Sequence, residues 1–253
     1  MSLRISAVSY LNTAPFIYGI EHSGLLSEAD LSRDIPAECA RKLLDGEVDI
    51  GLVPVAVIPL LESPHILTDF CIGCVGPVQT VNLYSEVPLE EIEQVYLDYQ
   101  SRTSVQLVQV LARYHWNISP RWIDASEGFE SRISGHNAAV VIGDRAFELN
   151  GQHGYTFDLG EAWQEFTGLP FVFACWVANK ELPADVLSAF NKAVAFGMQH
   201  KAQVIAEEAA RAGKNIDVKA YLDGSISYEL DEAKRSGLDR FLQLLEQVRP
   251  VRS

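Results

Sequence analysis

Three short stretches concentrate small hydrogen-bonding side chains where an apolar, strand-like run gives way to a helix. The first, Ser9-Tyr10-Leu11-Asn12-Thr13, lies between LRISAV and Pro15. The second, Ser101-Arg102-Thr103-Ser104, opens the helical pattern SVQLVQVLARY, and the third, Gly143-Asp144-Arg145, follows AAVVI. Hydroxyls, amides and unpaired N–H groups at a helix start can hold an anion without a full positive charge, because the helix dipole adds to them. Each corner taken alone is also what helix capping looks like, since Ser, Thr, Asn and Asp satisfy orphan N–H groups. Two such corners on opposite lobes would form a neutral clamp for an anion. A chain of formal net charge −14 needs a local device of that kind to bind one.

Other chemistry is sparse. The patterns G-x-S-x-G, H-E-x-x-H and G-x-x-x-x-G-K-S/T are absent, and the six histidines (22, 65, 115, 136, 153, 200) fall on helix ends and turns without ligand spacing. No metal and no cofactor is therefore expected. Of the four cysteines (39, 71, 74, 175), Cys71 and Cys74 form a C-x-x-C inside ILTDFCIGCVG. A redox pair of that spacing normally opens a helix, whereas this context is extended and ends at glycine, and no second C-x-x-C completes a zinc site. Small buried thiols in a reducing compartment are the expectation.

The corners depend on the elements that carry them. LRISAVSY reads as a strand and NTAPFIYGI as the start of a helix. Pro36 opens the helix PAECARKLLDG, which Gly46 stops. VDIGLVP is a buried strand, VAVIPLLE a short helix, and HILTDFCIGCV and VQTVNLYS are extended runs. SEVPLEE reads as a hinge, after which EQVYLDY, RWIDA and AAVVIG alternate as strands with helices at SRTSVQLVQVLARYHW, SEGFESRIS and GDRAFEL, followed by YTFDLGEAWQEFTG. GLPFVFACWVAN, the longest apolar run, has the Phe, Val and Trp content of a central strand. The remainder, to Pro250, has helical spacing.

Strands alternating with helices imply mostly parallel sheets covered on both faces. The change of rhythm at residue 86 and the apolar return near 172 predict two lobes, residues 1–85 with 172–253 and residues 86–171, with a ligand cleft between them. The charge argues against nucleic acid, and no apolar run reaches the ~18 residues of a membrane span. MSLRISAVSYLNTAPF lacks the charged and apolar regions of a signal peptide, so a cytoplasmic protein is expected.

The runs SYLNTAPF, DIGLVPVAVIP, GPVQTVNLYS, SRTS, IGDRA and LGEAWQEFTGLPFVFACW, in this order, resemble the chorismate dehydratase family of the futalosine route to menaquinone. The likeness spans residue 8 to about 180, with a fainter match in YLDGSISYELDEAKRSGLDRF. It implies a two-lobed α/β fold of the type II periplasmic-binding-protein kind. It also implies a cofactor-independent hydro-lyase that removes water across C3 and C4 of chorismate to give 3-[(1-carboxyvinyl)oxy]benzoate. Aromatisation drives that reaction, so the protein chiefly has to hold a dianion in a reactive geometry. By the resemblance Asn12 is the active-site asparagine, and Ser9, Tyr10 and Thr13 share its corner. Ser101, Thr103 and Ser104 match a carboxylate-binding helix start. Gln79 and Thr80 stand where the family often has a serine after GPVQ, and Gly143 and Asp144 complete the third corner. The base is either Asp144 or the substrate's own enolpyruvyl carboxylate. A solute-binding protein of the same fold and the sibling naphthoate synthase are the competing readings. The sibling's Ser-Pro-Cys-Pro-Asn-Asp opening is absent here, and nothing supplies the helix-turn-helix of a regulatory protein.

Overall fold

The computed structural model describes residues 2–213 and 216–248. The chain forms two compact units, Met1–Ile72 with Phe173–Leu230 and Gly73–Val172 with Asp231–Ser253. In the first, β1 (Arg4–Val8) leads to α1 (Ala14–His22), β2 (Asp30–Asp34) to α2 (Pro36–Leu44), and β3 (Ile50–Pro54) to a 3-10 turn over Val55–Leu60. The chain leaves this unit within β4 (His65–Cys74). The second unit carries β5 (Val81–Ser85), β6 (Gln94–Leu97), α3 (Ser104–Leu111), β7 (Arg121–Asp124) and β8 (Asn137–Ile142). It continues through α4 (Arg145–Leu149), β9 (Tyr155–Asp158) and α5 (Leu159–Thr167). β10 (Phe171–Ala178) returns to the first unit, followed by α6 (Ala184–Gln199), α7 (Lys201–Arg211), the single turn α8 (Val218–Ala220) and β11 (Ser227–Glu229). The last helix, α9 (Glu232–Val248), belongs to the second.

Each unit is built on its own sheet, in the orders β11-β4-β10-β3-β1-β2 and β7-β6-β8-β5-β9. Both are mixed. β1 runs parallel to β2 and β3, and β6 parallel to β7 and β8. β10 is antiparallel to β3, and β5 is antiparallel to β8 and β9. β10 and β5 enter their sheets where the chain changes units, without the crossover helix that parallel pairing requires.

GLPFVFACWVAN forms the inner strand β10, buried along its whole length. The units divide elsewhere than the rhythm suggested. SEVPLEE contains a 3-10 turn (Leu89–Glu91) joining β5 to β6 inside the second unit, and the division falls in β4 after Ile72. Packing explains the placement of α9. Phe241 meets Phe171 at 5.0 Å and Trp163 at 6.1 Å, both edge-on, contacts worth about 0.5–1.5 kcal/mol each beyond their buried area. Gly237 lets the helix lie on Pro170, whose carbonyl oxygen would be 2.1 Å from any Cβ there. The helical expectation over the tail ran to Pro250, and residues 249 and 250 lie outside the described residues, as do the lobe's last positions, 251–253.

In the first unit Phe16 packs edge-on against Trp176 (6.0 Å) and Tyr228 (5.4 Å), so the aromatic core reaches the start of α1. α1 also lies backbone-to-backbone on α6. A Cβ at Gly197 would stand 1.9 Å from the Pro15 carbonyl oxygen, so no other residue fits without moving the start of α1. Cys39, Cys71, Cys74 and Cys175 are buried thiols that form no disulfide with one another. Cys71 and Cys74 lie in strand β4, not at a helix start. Among the described residues no helix is long and apolar enough to cross a membrane.

Candidate active site

The first corner sits at the carboxyl end of β1, the end of a parallel strand where α/β sheets present their loops to ligands. The Ser9 N–H closes the β1–β2 ladder on the Asp34 carbonyl (2.9 Å), and Ser9 itself is exposed. Tyr10 is half-buried and extended, and the turn Leu11–Thr13 tightens through the Thr13 N–H to Tyr10 carbonyl bond (3.0 Å). No side chain caps either this turn or α1. The polar groups are used on one another instead. The Thr13 hydroxyl donates to Asn12 Oδ1 (3.1 Å), Asn12 Nδ2 donates to the Tyr221 hydroxyl (3.3 Å), and the Tyr228 hydroxyl donates to the Asn12 carbonyl (2.9 Å). The amide is thereby oriented, with oxygen toward Thr13 and nitrogen toward Tyr221. A carboxamide offers two N–H donors and two oxygen lone pairs. One of each remains for a ligand, and Asn12 keeps 9% of its surface where Thr13 keeps none.

In the second unit the register brings the remaining predicted residues to one end of the sheet. β6 and β8 run parallel and finish at Leu97 and Ile142, and antiparallel β5 begins beside that finish, with Val81 opposite Ile142. Thr80, Ser101, Thr103, Ser104 and Gly143 are buried there, Asp144 is half-buried and Gln79 exposed. The Gly143 N–H donates to the Thr80 carbonyl (2.9 Å). α3 begins at Ser104 rather than Ser101, and the capping bond is Ser101's, whose Oγ accepts the Ser104 N–H (3.0 Å). Thr103 does not cap the helix with its hydroxyl, and Asp144 does not cap α4.

Two carboxylates outside the three polar corners organise this end. Asp98, 1% exposed, accepts the N–H groups of Gln100 and Ile142 (both 3.0 Å) and pairs with Arg145, whose other arm meets Glu130. It thus ties the Ser101 corner to the Gly143 corner. Burial pushes its pKa up, against the pull of Arg145 and the two N–H groups. Asp158 accepts Val78 and Gln79 N–H groups on one oxygen (2.9 and 2.7 Å) and Gly160 and Glu161 on the other (2.9 and 3.1 Å). Burial raises this pKa too, opposed by those four donors. Its grip holds Gln79 at φ +67°, a left-handed conformation uncommon outside glycine. Asp158 was legible in principle, since Asp-Leu-Gly-Glu is a helix-start signature. Asp98 had no such pattern. Tyr221 and Tyr228 lie 209 and 216 residues from Asn12, and only the fold brings them to it.

The electrostatics are specific. Arg145 is offset by Asp98 and Glu130, so its charge is already balanced. Arg102 is exposed beside the start of α3, its guanidinium on the carbonyls of Tyr99 (3.3 Å) and Ser101 (3.0 Å). Among the described residues no cluster of three His, Cys, Asp or Glu side chains could hold a metal ion. In the first unit, an amide with one donor and one acceptor to spare can orient a small polar group. In the second, a hydroxyl-rich helix start beside an arginine is chemically suited to a carboxylate.

A family profile described as menaquinone biosynthesis matches residues 3–247. The chorismate dehydratase of Thermus thermophilus is 30% identical over 256 residues, covering 93% of this chain and 92% of that one. A crystal structure from Archaeoglobus fulgidus aligns at TM-score 0.76 and 14% identity over 97% of each chain. A Candida albicans gene product described as having the generic periplasmic binding protein structural fold aligns at TM-score 0.64 and 14% identity, over 100% of this chain and 92% of that one. The two-lobed α/β fold anticipated from the sequence is therefore the fold found.

Proposed function

This chain belongs to the menaquinone biosynthesis family, and from that membership we propose that it acts in the futalosine route as a chorismate dehydratase, a hydro-lyase. The observation that carries the reading is the near-full-length likeness to the Thermus enzyme. In the reaction a proton leaves C3 of chorismate and the C4 hydroxyl departs as water, giving the aromatic enol ether 3-[(1-carboxyvinyl)oxy]benzoate. Aromatisation supplies the driving force, so the protein's task is to hold the substrate with the breaking bonds aligned.

Asn12 is assigned to orientation. Its spare N–H can donate to the leaving hydroxyl or to a substrate carboxylate, and its spare lone pair can accept from the hydroxyl. The support is the side-chain amide, held by two bonds, on a main chain that a third bond fixes. Ser9, Tyr10 and Thr13 share that corner. Thr103 and Ser104, with the N–H groups that open α3 and Arg102 beside them, are assigned to a substrate carboxylate. Gln79 and Thr80 lie at the same sheet end, and there Gly143 and Asp144 form the remaining edge. The proton at C3 passes either to Asp144 or to the enolpyruvyl carboxylate of the substrate. No step calls on a metal or cofactor. The reaction is assigned to the cytoplasm, a setting that suits four buried thiols outside any disulfide.

The test separates turnover from binding. Purified chain mixed with chorismate should convert it to the aromatic product, identified by mass and ultraviolet spectrum. Chorismate bound at equilibrium but recovered unchanged would make this a solute-binding protein instead.

A further inference from the structure

We infer that Tyr221 and Tyr228 are positioning residues for the elimination, fixing Asn12 from two directions. The inference rests on the assignment of Asn12 to the reacting substrate. Tyr221 stands at the opening of the turn Tyr221–Ser225 and Tyr228 in edge strand β11, and both hydroxyls reach the Asn12 corner of the same unit. They divide the work. Tyr228 donates to the Asn12 main-chain carbonyl at 2.9 Å and so sets where the residue sits. Tyr221 accepts from Nδ2 at 3.3 Å and, with the Thr13 hydroxyl on Oδ1 at 3.1 Å, sets which way the amide faces.

Tyr228 suits a permanent donor. It is 4% exposed, its ring packs edge-on to Phe16 at 5.4 Å, and Lys201 Nζ lies over the ring at 5.3 Å. Lys201 is in turn fixed to Asp223 (2.8 Å) and to the Leu222 carbonyl (3.2 Å), both in the turn that carries Tyr221. The two tyrosines are therefore braced by one lysine. Burial also pushes the Tyr228 pKa up, which favours the protonated phenol that donates this bond.

Hydroxyls on both sides of the amide limit how far it can turn, and turning would misalign its donor and acceptor with the leaving hydroxyl. Removing either phenolic hydroxyl keeps the ring and its packing while freeing Asn12. Tyr221→Phe and Tyr228→Phe should each lower kcat about five- to tenfold with KM changed less than about twofold, the size expected for one buried hydrogen bond. Asn12→Ala must be measured beside them. In the Asn12→Ala background either tyrosine change should have almost no further effect on kcat, because the group they orient is gone. If Asn12→Ala is crippled while both Tyr→Phe variants match wild-type kcat, the tyrosines only pack and the inference falls alone. If the tyrosine effects multiply fully with that of Asn12→Ala, they act independently of it and the inference also falls. If Asn12→Ala itself turns over normally, the assignment of Asn12 fails first and takes the inference with it. A melting temperature for each variant separates loss of fold from loss of orientation.

Discussion

The hydrogen bonds of Asn12 with Thr13, Tyr221 and Tyr228 join uncharged groups: a threonine hydroxyl, two phenols and an asparagine. At the sheet end that carries Ser101–Ser104 the contacts converge instead on carboxylates, Asp98 gathering two backbone N–H groups and Arg145, and Asp158 gathering four N–H groups. The two corners solve one problem, fixing loop backbone at a strand end, in different currencies. The neutral network orients a single side chain and leaves one donor and one acceptor open. The carboxylates fix main chain, and Asp98 also pairs with Arg145. Arg102 stands exposed beside the start of α3. A neutral corner suits orientation of a leaving group, and a scaffolded helix start suits a carboxylate.

The sharpest way to break this contrast is at Asn12. Asn12→Ala should lower kcat about a hundredfold or more with a smaller change in KM, because misplacement raises the barrier rather than weakening binding. Asn12→Asp should be worse. It is nearly isosteric, and the Thr13 and Tyr221 hydroxyls can both donate to a carboxylate, so the fold is retained while a negative charge faces a dianion. Steady-state kinetics with thermal melts of both variants are the check. Normal turnover by both would reduce Asn12 to a structural residue.

Next in size is Thr103→Val, which removes a hydroxyl without changing shape. Loss of a hydrogen bond to a charged group costs roughly 1.5–3 kcal/mol, so kcat/KM for chorismate should fall about ten- to a hundredfold with the melting temperature nearly unchanged. A variant that behaves as wild type would leave the second corner without its assigned role.

The pH dependence of stability should have opposite signs at two aspartates, one in each unit. Asp34, at the end of β2, is pushed up by burial, but bonds from Lys42, Ser32 and Ser6 outweigh it and hold the carboxyl below the ordinary range. Its stabilising contribution is present above the ordinary carboxyl pKa of about 4 and is lost as pH falls through the lowered value. Asp98 is raised, so its contribution is present below about 4 and is lost as pH rises through the raised value. Chemical denaturation between about pH 3 and about pH 7 makes the comparison. The advantage of wild type over Asp34→Asn should grow toward neutral pH, and its advantage over Asp98→Asn should shrink. Two trends of the same sign would contradict the contrast.

The smallest effect belongs to the C-x-x-C. Replacing Cys71 and Cys74 together by serine should leave turnover within about a factor of two and cost some stability, because buried strand thiols become hydroxyls. A loss beyond about tenfold in a folded variant would give the pair a function.

How much of this was legible follows from where each signal lies. β10 and α2 announce themselves locally, by an unbroken apolar run and by Pro36 with Gly46. β2, Asp-Leu-Ser-Arg-Asp, is a polar edge strand without apolar alternation, and β11 has three residues; both exist because a neighbouring strand offers a ladder. The division of units depends on where Phe241 packs, which helical periodicity cannot say. The three corners stood out because polar density after an apolar strand is a local pattern. Their supports did not: Asp98 is one acidic residue among 34 Asp and Glu, and Tyr221 and Tyr228 meet Asn12 only through the fold.

The central claim is that this chain dehydrates chorismate with its own residues. Pure protein, freed of metal by exhaustive chelation, should convert chorismate to one equivalent of the aromatic enol ether at the rate of untreated protein. Chorismate that persists with fully folded protein, or turnover that vanishes on chelation and returns only with a defined metal, would contradict the account.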